Sequence, residues 1–250
     1  MGDGHMRARR PRNQGTDEDA RRRADELHDQ GMPYQMAMAV AHGRLDLSEA
    51  LERMARKDRV TKLMERHDLS RALATQVALG HADLDRVLSR RRMETHRAEN
   101  RDRTCLDPEG GPVAVQLAGR LVKGTIREVD AYTFTIDGDG DGEPEAIHKL
   151  EARFGYAPGD WKAVKKAVKA DKKGDQDLRP ATRPQDRHSC SDKRLFGYLD
   201  GEDDVVVSLL DGTTAKGRVT WFGRYEFGLE VRDGVAITVF RHALRSIRPA

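Results

Sequence analysis

The segment Val239-Phe240-Arg241-His242-Ala243-Leu244-Arg245-Ser246-Ile247 places an aromatic ring, a cation and an imidazole side by side at the close of a strand-rich stretch, Val205 to Pro249. An aromatic face stacks on a base, and arginine supplies charge to a phosphate. The combination suits holding a nucleobase and its phosphate, which is binding chemistry. The sequence shows no Ser/His/Asp order, no phosphate-cradling glycine loop and no metal-ligand spacing, so neither an enzyme nor a cofactor or metal is expected. Asp137-Gly138-Asp139-Gly140-Asp141-Gly142 mimics the first half of a calcium loop. Its twelfth position, however, is His148 where such a loop needs a bidentate glutamate, so an acidic hairpin tip is expected instead.

Composition limits the elements that can present these residues. Of 250 residues, 37% are hydrophobic, 5% aromatic and 35% charged, which fits several small units joined by solvated segments better than one large core. The net charge of +3 conceals arginine- and lysine-rich runs set against acidic patches. Local basic runs govern contact with polyanions, so nucleic acid is the first partner to consider. Cys105 and Cys190 lie far apart without C-x-x-C spacing, and a reducing cytoplasm is the expected compartment. No apolar run approaches the roughly 18 residues that span a bilayer, so no membrane partner is expected.

Along the chain, residues 1–24 carry Arg7, Arg9, Arg10 and Arg12 with almost no apolar side chains and read as a disordered basic arm. Residues 25–98 have helical apolar spacing and an internal repeat. Met36-Ala37, Val40-Ala41, Gly43, Asp46-Leu47 and Leu51 recur as Leu73-Ala74, Val77-Ala78, Gly80, Asp83-Leu84 and Leu88, 37 positions later. Each copy reads as helix, glycine stop, aspartate cap, helix. Residues 106–157 and 195–250 instead show period-two alternation, as in Val113, Val115, Leu117 and again in Val205, Val207, Leu209, broken at Gly119, Gly124, Gly212 and Gly217. Residues 158–194 read as a lysine-rich helix, with Trp161, Val164 and Val168 on one face, followed by a linker.

Val207-Ser208-Leu209-Leu210-Asp211-Gly212, Lys216-Gly217-Arg218-Val219, Phe222, Tyr225 and the closing Phe240-Arg241-His242-Ala243-Leu244 resemble the Sm-like family, and within it the bacterial RNA-chaperone branch, Hfq. Pro112-Val113, Gly119, Gly124, Asp130, Tyr132 and Phe134 resemble the first Sm motif again, closing with Ile147-His148-Lys149-Leu150, in which cation and imidazole are swapped. The resemblance implies an α+β multidomain chain: a helical N-terminal domain, then two small Sm-like (SH3-type) bent antiparallel β-barrels. It also implies edge-to-edge self-association into a ring, as a trimer of tandem domains or a hexamer. The ligand it implies is single-stranded, U-rich RNA. Tyr225 would be the stacking platform, with Arg224, Phe240, Arg241 and His242 beside it, and Tyr132, His148 and Lys149 would be the first-copy counterparts. Ser208 stands where Hfq has an aromatic of its A-rich-binding face. Gly201, Glu202, Asp203 and Asp204 stand where it has a rim arginine patch, and acids there repel phosphate.

The expected role is RNA binding in post-transcriptional regulation. The alternative is an oligomerisation scaffold whose helical domain binds a protein or DNA partner. Arg86 and Glu49 fall where a DNA-reading second helix usually needs a buried aliphatic, which weakens the DNA form of that alternative.

Overall fold

A computed structural model of the chain describes residues 14–250 apart from 139–142, 171–179, 182, 189 and 233. The chain is α+β and divides into two compact units, with the boundary between Leu88 and Ser89. The first is helical. The second is built on an antiparallel sheet that has 11 strands among the described residues.

In the helical unit, α1 (Gln14–Asp29) packs on α2 (Tyr34–Ala41), and α3 (Leu47–His67) packs on α4 (Arg71–Ala78). The 37-residue repeat is structural down to its hydrogen bonds. After α2, the Gly43 N–H donates to the Val40 carbonyl at 2.9 Å; after α4, the Gly80 N–H donates to the Val77 carbonyl at 3.0 Å. Both glycines sit at positive φ, +67° and +74°, the left-handed conformation that costs a side chain free energy. Asp46 then caps α3 by accepting the Ser48 N–H at 2.8 Å, and Asp83 caps α5 (Leu84–Glu99) by accepting the Arg86 N–H at 2.8 Å. Ala24, Met32, Ala37, Val40 and Ala50 form a small core, while Leu47, Leu51, Leu73 and Leu79 remain exposed. The basic arm expected over residues 1–24 needs correction. α1 already begins at Gln14, because Ala20 and Ala24 supply a buried face between the arginines; the arginines at 7–12 lie outside the described residues.

The sheet unit contains two runs of five strands. The first comprises β1 (Pro112–Leu117), β2 (Leu121–Val129), β3 (Thr133–Gly138), β4 (Glu145–His148) and β5 (Ala152–Tyr156). After α6 (Trp161–Ala167), β6 (Val168–Ala170) and α7 (Asp192–Asp200), the second comprises β7 (Asp204–Leu209), β8 (Thr213–Phe222), β9 (Glu226–Arg232), β10 (Val235–Phe240) and β11 (Leu244–Pro249). Side by side the strands run β11, β7, β8, β9, β10, β5, β1, β2, β3, β4, with β6 added against β8. Each run therefore has one order: fifth, first, second, third, fourth. The two runs join where β10 pairs antiparallel with β5, Thr238 opposite Gly155 and Val239 opposite Phe154.

Alternation explains the strands with one dry face. In β7, Val205, Val207 and Leu209 point inward to a core containing Phe222, Phe227, Leu229, Ile237 and Val239. β5 is buried at every position because it is hydrogen-bonded on both edges and covered on both faces. Two expectations for residues 158–194 are also corrected. Lys169 lies in β6 rather than in a helix, and α7 starts at Asp192, where the Ser191 hydroxyl accepts the Arg194 N–H and Leu195, Phe196 and Tyr198 supply a buried face. Lys172 and Lys173 lie outside the described residues, as do residues 139–142 of the acidic tip.

The second strand of each run crosses its neighbour closely at a glycine. A Cβ on Gly124 would lie 1.9 Å from the Asp137 carbonyl oxygen, and one on Gly217 would lie 2.2 Å from the Glu230 carbonyl oxygen. Neither backbone can yield without losing sheet pairing. Gly217→Ala should cost about 2 kcal/mol in chemical denaturation, whereas Gly159→Ala, where an added methyl meets nothing within 4 Å, should be close to neutral. Equal midpoints for the two variants would contradict this packing.

Candidate functional site

The sheet turns sharply after β10 and again after β4, and both turns carry the residues singled out in the sequence. A short 3-10 turn, Arg241–Ala243, links β10 to β11, and its counterpart Lys149–Glu151 links β4 to β5. In the first, the Arg241 N–H donates to the Tyr225 carbonyl at 2.8 Å; in the second, the Lys149 N–H donates to the Tyr132 carbonyl at 2.8 Å. A tyrosine in the loop before β9 or β3 is thereby fastened to a cation in the closing turn, twice.

The two tyrosines face solvent. Tyr225 is 63% exposed and Tyr132 74%, so neither fills a core. The Arg224 guanidinium lies 4.9 Å from the Tyr225 ring centroid. Phe240, by contrast, is 2% exposed and packs in the sheet core, so its ring is not presented to a ligand. Its hydrophobic burial, about 2 to 3 kcal/mol, makes it a structural residue.

Arg241 is largely buried. Its Nη1 donates to Asp192 Oδ1 at 2.8 Å at the start of α7, and Asp192 Oδ2 also pairs with Arg97 at 3.3 Å. The Nε and Nη2 groups of Arg241 are buried with no hydrogen-bond partner among the described residues. Buried unpaired donors are costly, and on a cation they are suited to an anionic oxygen.

His242 ties the two runs together. Its Nε2–H donates to the Ala152 carbonyl of β5 at 2.8 Å, which fixes the tautomer. Burial pushes the imidazole down to about 4, reinforced by the Arg153, Arg187 and His148 charges nearby and opposed by the bond to Ala152. The ring is therefore neutral at pH 7.

Superposing the turns by their shared hydrogen bond gives the first run a different chemistry. Lys149 falls in the place of Arg241, His148 in the place of Phe240, and Leu150 in the place of His242. His148 is exposed, its Nδ1 accepting the Leu150 N–H at 3.1 Å to cap the turn, and the Lys149 ammonium bonds the Asp130 carbonyl. Thus Tyr225, Arg241 and His242 come together beside β5, while Tyr132, His148 and Lys149 line the end of β4, whose outer edge is unpaired among the described residues.

Sequence reasoning missed the residues that brace this site. Glu226 is buried next to Tyr225, accepting the Thr104 hydroxyl at 2.6 Å and the Cys105 N–H at 3.0 Å. Burial raises its carboxyl, and those two bonds oppose the rise. Burial, and after it the same carboxylate, push the Cys105 thiol well above its ordinary value, which keeps the sulfur protonated. The signal available was a lone acid at the start of an apolar strand; its partner, more than a hundred residues away, had none. Asp192 lies in the stretch read as a linker, where Ser191 as a helix cap was the one local signal for the start of α7.

The depressed histidine has a measurable consequence. Its folded value of about 4 lies below the ordinary 6.5, so the unfolded chain takes up the proton first. The stability carried by neutral His242 is complete above about pH 6.5 and is lost as pH falls toward 4, by roughly 3 kcal/mol at most. His242→Gln, which keeps a donor for the Ala152 carbonyl, should flatten the stability profile between pH 6.5 and 4 in urea titrations; identical profiles would contradict the assignment. Compared with known proteins, the chain matches no family and no curated protein is similar to it.

Proposed function

We propose that the chain is an RNA-binding protein of the Sm-like, Hfq-like kind, in which each run of five strands is a small bent barrel and single-stranded, U-rich RNA is held at the closing turns. It is a binding protein rather than an enzyme, acting on small RNAs or messengers in post-transcriptional regulation. The observation that carries the reading is the repeated pairing of an exposed tyrosine with a turn cation, Tyr225 with Arg241 and Tyr132 with Lys149, through one backbone hydrogen bond.

The chemistry follows from the parts. Tyr225 offers an open π face with Arg224 against it, on which a base stacks. Arg241 is held behind the turn by Asp192, and its backbone N–H positions the loop that carries Tyr225. The neutral His242 keeps the closing turn attached to β5 and adds no charge of its own.

The same reading extends to assembly. β4 and β11 are the outer strands of the path, and neither has a second neighbour among the described residues. β4 is the fourth strand of its run, as β10 is, and β11 is the fifth, as β5 is. A β4 edge of one copy set against the β11 edge of the next repeats the β10–β5 joint, placing Ala146 opposite Ile247 and Ile147 opposite Ser246. Three copies then close a six-unit ring, and the Tyr132–Lys149 site is completed by the neighbour.

Tyr225→Ala should weaken binding of a U-rich RNA oligonucleotide by roughly tenfold or more in fluorescence-anisotropy titrations, with Tyr225→Phe close to the unsubstituted protein. Unchanged affinity in Tyr225→Ala would remove the site from the account.

A further inference from the structure

α6 and the strands beneath it carry a second aromatic and cationic surface, separate from the closing turns. Trp161 opens α6 and is 39% exposed. Its ring stacks on Tyr156 of β5, centroids 6.1 Å apart and planes 18° from parallel, and Tyr156 stacks in turn on Phe154 at 6.0 Å. Val164, fully buried, anchors the helix to the sheet unit. The indole is thus backed by a fixed aromatic column rather than carried on a loose side chain.

Cations border it. Lys123 Nζ, from β2, lies 5.9 Å from the indole centroid and Lys165 Nζ lies 5.8 Å from it. Lys162, Lys166 and Lys169 are exposed on the same short stretch. None of these five lysines makes an ion pair with a carboxylate among the described residues, unlike Lys216, which pairs with Asp204, or Lys62, which pairs with Asp58. Lys123 and Lys165 flank the ring while Lys162, Lys166 and Lys169 add exposed charge on the same stretch, and an aromatic face with cations against it attracts a polyanion that also carries flat rings. Beneath the indole, the Tyr156 hydroxyl is buried without a hydrogen-bond partner among the described residues.

We infer that Trp161, with Lys123, Lys162, Lys165, Lys166 and Lys169, is a second contact site for single-stranded RNA, one base stacking on the indole and the flanking phosphates lying against the lysines. The inference rests on the RNA-binding reading above and extends it to a surface the closing turns do not include. Its division of labour differs from theirs. The turn site has a single exposed tyrosine fastened to one closing turn, which favours base selection. The α6 site has an open ring and dispersed charge, which favours affinity for any sequence and a strong dependence on salt. A flat ring backed by another ring is built for stacking; a tryptophan that enters a lipid surface has no need of that column. Single-stranded RNA is therefore the favoured occupant over an anionic membrane.

The test uses the full chain and the fact that its two tryptophans differ: Trp221 is buried and Trp161 is not. A mixed-sequence single-stranded RNA of about 20 nucleotides should quench the exposed tryptophan on binding, and Trp161→Phe should abolish the quench. Lys162→Gln with Lys165→Gln, surface changes that leave the fold intact, should weaken binding several-fold and flatten the slope of log affinity against log salt by roughly 1.4. Tyr225→Ala should reduce the preference for U-rich RNA and leave the Trp161 quench in place. If RNA binds in a Tyr225-dependent way but the emission and the lysine variants are unaffected, the second site is overturned and the turn site stands. If no RNA binds at all, the RNA reading itself fails. A blue-shifted emission on anionic phosphatidylserine vesicles with no response to RNA would overturn the inference in favour of a membrane surface.

Discussion

Backbone hydrogen bonding at strand edges is the constraint on which the sheet unit depends. A five-strand run leaves its fourth and fifth strands with N–H and C=O groups unpaired by backbone on their outer sides, a template that another strand can complete. Within the chain the problem is solved once, by β10 against β5. The joint then fixes much else. It buries β5 on both faces, it brings His242 to the Ala152 carbonyl, and it sets Arg241 and Tyr225 beside residues of the first run.

Electrostatics at the joint are arranged around neutral groups. His242 is held uncharged among Arg153, Arg187 and His148, and the one anion that reaches Arg241, Asp192, comes from α7. Arg153 is itself fully buried, donating to the Leu150 carbonyl. Backbone oxygens take part in holding these groups, the Ala152 carbonyl for His242 and the Leu150 carbonyl for Arg153, and Asp211 and Glu151 act on Arg153 as well. The exposed tyrosine and the buried cation are joined by the Arg241 N–H bond to the Tyr225 carbonyl.

Much of this was legible in the sequence where the signal was local. The helical repeat could be read to the level of its caps, because Gly43 and Asp46 recur as Gly80 and Asp83 and each has its own short-range bond. Strands with one wet face, such as β7 and β8, could be read from alternation. β5 could not: Ala152-Arg153-Phe154-Gly155-Tyr156 has no alternation because both its faces are dry. Nor could the joint itself, whose partners His242 and Ala152 are 90 residues apart and share no pattern. Among the aromatic candidates, residue type was not enough. Phe240 and Tyr225 both suit stacking on a base, but Phe240 ends a strand facing the core and Tyr225 sits in a loop, and only burial separates them. Trp161 was read as the apolar face of a helix, yet its ring is partly open and flanked by lysines.

The central claim is that the β4 and β11 edges of different copies repeat the joint made inside one chain. The mass of the full-length protein in solution, measured by light scattering after size-exclusion chromatography, tests it most directly. The account predicts a particle of three 28.1 kDa chains, about 84 kDa, that Ala146→Pro in the β4 edge converts to single chains. A single-chain mass for the unsubstituted protein at micromolar concentration, with or without a short U-rich RNA, would contradict it.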